Sequence, residues 1–70
     1  MDTINVVEIK NDDITGLASF EDSDKGMAEA KELFVECAKD NGARDGEIPA
    51  FLEDKYFETG TYQIFLTRST

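Results

Sequence analysis

Seventy residues suffice for one domain. A chain this short buries only about 60% of its unfolded surface, which commits most large apolar side chains to packing rather than to a deep pocket. Sixteen Asp and Glu against seven Lys and Arg give a formal charge of −9, which repels nucleic acid and anionic lipid and argues against direct DNA or RNA binding.

The acids are unevenly spread: residues 1–24 hold seven acids and one base, residues 25–70 nine acids and six bases. A charged partner is therefore expected to be a basic protein surface or a cation. One cysteine leaves no internal disulfide and fits a reducing compartment. The start, Met1-Asp2-Thr3-Ile4-Asn5, lacks a basic segment followed by an apolar one, and no apolar run approaches the ~20 residues that span a bilayer. The expectation is a cytoplasmic protein, neither exported nor membrane-anchored. With 40% apolar residues and seven aromatics, the chain lies outside the disordered class.

Residues 3–10 (TINVVEIK) are dense in β-branched side chains and lead into Asn11-Asp12-Asp13, which suits a turn. A first strand and a hairpin loop follow from this. In Ile14-Thr15-Gly16-Leu17-Ala18-Ser19-Phe20, strict alternation puts the even positions on one face, predicted to meet the core. Gly16 and Ala18 would then let a helix approach the sheet closely.

Met27, Ala30, Leu33, Phe34, Cys37 and Ala38 recur at helical spacing, which predicts a long helix over about 23–41. Asp22 or Ser23 can cap its start, and Gly42 supplies the closing residue. Pro49 stands where a missing amide costs a new helix nothing, so a short second helix is read over about 49–54, with Phe51 and Leu52 as its core contacts. Thr59-Gly60 is a turn before a last strand over 62–67, with a short extra strand over 55–58 pairing across it. The run Ile64-Phe65-Leu66 lacks alternation, which suggests a central strand or a partly hidden second face. The fold class is α+β: two layers, a long and a short helix on a mainly antiparallel sheet of three or four strands. The strand order stays open between 2-1-3 and 1-2-3.

Catalytic chemistry finds little support. Histidine is absent, which removes the commonest general base and metal ligand. Cys37 falls at a core-facing helical position, far from the N-terminus that would stabilise a thiolate, and reads as a small buried hydrophobe. Residues 21–32 place glycine sixth and glutamate twelfth, as in a calcium loop, but Lys25 at the fifth place has the wrong charge and a strand precedes the segment. A capped helix start explains the same residues. Gly42 to Gly46 lacks the Lys-Ser/Thr pair and preceding strand of a phosphate loop. No catalytic residue, cofactor or metal ligand is assigned.

Two surfaces remain. Glu29, Glu32, Glu36 and Asp40 recur three and four apart on the outer face of the long helix and form an acidic ridge, flanked by Lys25, Lys31 and Lys39. Tyr56 and Tyr62, with Phe57, cluster about Thr59-Gly60 and would make a partner or dimer patch if both hydroxyls reach the surface. One layer of helix also leaves a sheet face for the short helix or a second subunit to cover, so homodimerisation is an alternative to a foreign partner. The expected function is a non-enzymatic interaction or regulatory domain that binds a protein through the acidic helix face or the sheet. The alternative is an acidic nucleic-acid mimic that blocks a DNA-binding protein.

Overall fold

Val, Ile and Thr, stiff at χ1, favour the extended chain of β1, Thr3–Lys10. At its end Asn11 and Asp12 both take positive φ, +52° and +69°, the signature of the two-residue turn whose twist matches a hairpin. The turn returns the chain as β2, Asp13–Glu21. The computed structural model describes residues 2–69. The helix α1 spans Asp24–Asp40, α2 spans Ile48–Asp54, and a second hairpin joins β3, Tyr56–Thr59, to β4, Tyr62–Ser69.

Local chemistry explains the boundaries of α1. The Ser23 hydroxyl oxygen accepts from the Gly26 amide at 3.1 Å, and the Asn41 side chain donates to the Cys37 carbonyl at 2.8 Å. Gly42 then turns the chain away at φ +105°. A 3-10 turn at Asp45–Glu47 feeds α2, with Pro49 in its first turn. Lys55 ends α2 in the left-handed region at φ +56°.

The four strands form one antiparallel sheet in the order β2-β1-β4-β3. The first and last strands pair at the centre, Thr3 opposite Ser69, and each hairpin's other strand lies at an edge. The segment carrying α1 and α2 therefore crosses from one edge to the other over a single face, and α1 packs on β2, β1 and β4. The two hairpin turns meet at the same end. There the Asn11 amide donates to the Thr61 carbonyl at 3.2 Å and the Thr61 hydroxyl donates to Asn11 Oδ1 at 3.1 Å.

The core lies between α1 and the even positions of β1 and β4. Ile4, Val6, Phe34 and Ile64 are its largest fully buried side chains, joined by Ala30, Ala38, Ile48, Phe57, Tyr62 and Leu66. Ile48 is the buried residue of α2; Phe51 and Leu52 pack at the core's margin. Phe51 meets Phe57 edge to face, centroids 4.8 Å apart.

The even-numbered positions of β2 do not share one face. Ala18 pairs with Val6 and Phe20 with Ile4, both toward the helices, but the register shifts at Leu17 and Gly16 pairs with Val7. This β-bulge reverses the phase of the strand, so Ile14 and Gly16 face away from α1 and Ile14 is 74% exposed. Gly16 thus marks a bulge, and the close approach of helix to strand occurs at Gly26 instead. Gly26 is buried, and a Cβ there would overlap the Glu21 carbonyl oxygen.

Candidate interaction surfaces

Glu29, Glu32, Glu36 and Asp40 are all exposed along α1, on the side away from Ala30, Phe34 and Ala38. Period 3.6 puts them there: the core residues occupy one stripe and the acids the opposite one. Lys39 is drawn to Asp45 at 3.1 Å, an exposed pair that adds little stability. Among the described residues no three Cys, Asp or Glu gather into a metal-binding group, and no helix is long and apolar enough to cross a membrane.

The two tyrosines do not form one patch. Tyr62 lies on the helix side of β4, 6% exposed, whereas Tyr56 pairs with Phe65 and projects from the opposite face, 40% exposed. The Tyr62 hydroxyl donates to Glu8 Oε2 at 2.8 Å, and so satisfies both groups of a half-buried pair under the C-terminal half of α1. Burial pushes the Tyr62 phenol well above its ordinary value, and the hydrogen bond to Glu8 and the Glu8, Cys37 and Asp40 charges push the same way. A phenol raised in the fold favours folding fully below its unfolded pKa, about 10, and that contribution is lost as pH rises through the folded value. Tyr62→Phe is therefore expected to flatten the decline in stability above about pH 10; urea midpoints measured across that range will show a shallower slope than wild type. Burial likewise raises the Cys37 thiol, with Glu8, Asp40 and Glu36 adding, which disfavours a reactive thiolate.

The face of the sheet away from the helices is built by the other half of the alternation. Its central row runs Gly16, Val7, Phe65, Tyr56 across the four strands, and the next row runs Ile14, Ile9, Gln63, Glu58. Leu17, the extra residue of the bulge, joins this side beside Asn5, Val7, Ser19 and Thr67. Ile14, Leu17 and Tyr56 are the exposed large apolar residues among those described, and Val7, Ile9 and Phe65 are half-buried. Among the paired positions of this face only Glu21 and Glu58 are charged, at diagonally opposite corners. A Ser19 hydroxyl bond to Asn5 Oδ1, 2.6 Å, and a Tyr56 hydroxyl bond to Glu58 Oε2, 3.1 Å, complete its polar margin.

Part of this face is legible in the run Ile64-Phe65-Leu66. Ile64 and Leu66 are buried toward the helices while Phe65 is half-hidden on the other side of a central strand. The adjacent pair Val6-Val7 carries the same signal, and a glycine within a strand was the available mark of the bulge. Fold and surface define a two-layer α+β domain with its helices on one face and, on the other, an open sheet face with an apolar centre, a polar margin and acids at two corners. No protein-family model, curated protein or solved structure matches the chain.

Proposed function

We propose that this domain works in the cytoplasm by binding a protein partner, without catalysis, and that the open face of its sheet is the docking surface. One observation carries the reading. A domain of charge −9 keeps six apolar side chains, Val7, Ile9, Ile14, Leu17, Tyr56 and Phe65, on a face that holds two acids and no base. Solubility favours charge everywhere on a small domain, so a contiguous apolar face is unfavourable unless something covers it. Val7 and Phe65 at the centre, Tyr56 beside them on the edge strand, and polar residues at the margin match the anatomy of protein interfaces.

The ridge of Glu29, Glu32, Glu36 and Asp40 supports a second reading, in which the acids sit in the basic groove of a DNA-binding protein as a nucleic-acid mimic. The readings separate cleanly in a binding assay with a captured partner. Docking through the sheet predicts that Ile14→Glu with Tyr56→Glu weakens binding more than tenfold, roughly 1.4 kcal/mol or more, while Glu32→Lys with Glu36→Lys leaves it intact in high salt. Mimicry predicts the reverse pattern and loss of binding with salt.

A further inference from the structure

We infer that the occupant of the open sheet face is a second copy of this chain, stacked face to face so that two α/β layers become an α/β/β/α sandwich. This deepens the docking reading above and rests on it. Charge selects the geometry. This face carries two acids, both at corners, and no base, while the other fourteen acids and all seven bases lie off its paired positions, so a face-to-face stack puts no charge at its centre, where desolvation would cost most.

The corner acids allow that approach. Glu21 closes β2, an edge strand, at the end away from the hairpin turns; Glu58 lies on β3, the other edge, next to its turn. A two-fold axis in the plane of the interface and parallel to the strands carries each acid to a corner that holds none. An axis perpendicular to the strands does the same, so Glu21 and Glu58 never face their own kind in an aligned stack. The centre of the face falls on Val7 and Phe65, which meet their counterparts across the axis.

The area is enough for a modest dimer. The four strands hold 8, 9, 4 and 8 residues; at ~4.8 Å between strands and ~3.3 Å per residue they cover roughly 460 Å² in projection, and side-chain relief raises the accessible area toward the ~600 Å² per partner at the lower end of specific interfaces. An interface of this size belongs with weak, exchanging dimers rather than obligate ones.

Sedimentation equilibrium of the purified chain tests this. The expected result is a concentration-dependent dimer that tightens as salt screens the net charge. Ile14→Glu and Tyr56→Glu each shift the midpoint at least tenfold upward, and Glu32→Lys with Glu36→Lys does not weaken it. Both sheet residues are exposed and on opposite edges, so the variants keep their circular dichroism and the readout reports association. A dimer sensitive to Ile14→Glu but indifferent to Tyr56→Glu would be an edge pairing of β2 and would overturn face stacking. A chain monomeric at every concentration and salt overturns self-association outright. If that monomer still captures a protein through Ile14 and Tyr56, the docking reading stands without the dimer.

Discussion

Phe34→Ala is expected to remove about a third to all of the domain's stability. Phe34 is fully buried at the middle of α1 and heads the largest side chains of a core shared with Ile4, Val6 and Ile64. Truncating a buried phenylalanine removes its transfer free energy and leaves a cavity, together about 3–5 kcal/mol. A domain of this length holds about 3.5–10 kcal/mol in total. α1 is the main lid over β1, β2 and β4, so little neighbouring structure is free to collapse into the hole. Urea titration followed by far-ultraviolet circular dichroism will show a lost or strongly shifted transition, whereas Phe34→Leu, which keeps most of the volume, is expected to lose about 1–1.5 kcal/mol. A small effect of the alanine variant would mean that α1 does not seat on the sheet as described.

Gly26→Ala comes next in size, and two effects of opposite sign compete there. Gly26 occupies the first turn of α1, where alanine is the better helix former by about 1 kcal/mol. Against this, the new methyl group would overlap the backbone carbonyl oxygen of Glu21 at the end of β2, which no rotamer change can relieve. Overpacking of this kind costs about 1–3 kcal/mol when a flexible side chain can yield, so a rigid backbone neighbour puts it at the upper end and the overlap wins. The net loss is about 2 kcal/mol, a fall in Tm of roughly 10 °C for a domain of this size. Gly46→Ala, where a Cβ meets nothing within 4 Å, is the matched control and should leave Tm close to wild type. A neutral Gly26→Ala would show that the first turn of α1 can lift from the sheet at no loss.

The same glycine shows how a motif can mislead. Residues 21–32 have the glycine and glutamate spacing of a calcium loop, yet Glu21 ends a strand, Ser23 caps the helix and Gly26 is small because a strand carbonyl lies against it. Caps and steric fit account for the pattern. The docking and dimerisation proposed for the open sheet face rest on residues that no local motif singles out, since Val7, Tyr56 and Phe65 become neighbours only across three strands.

Much of the secondary structure was legible because it rests on local chemistry. β1 is defined by its β-branched run, α1 by its 3.6-residue stripe between Ser23 and Gly42, and α2 by Pro49. The short strand before Thr59-Gly60 also followed from the turn pair. The acidic outer stripe of α1 was legible for the same reason: a helix that buries Ala30, Phe34 and Ala38 must expose Glu29, Glu32, Glu36 and Asp40.

What the chain by itself determined, then, was the kind and extent of its elements, their caps and the charge they display, all set by interactions within a few residues. Tertiary structure alone decided the order β2-β1-β4-β3, which depends on pairing between the chain's two ends, whereas the split of Tyr56 from Tyr62 follows from the register of the short hairpin that joins β3 to β4. Tertiary structure also decided the phase of β2. One extra residue at Leu17 turns Ile14 from core to surface, because side chains alternate with period two and a bulge exists only relative to the strand opposite it.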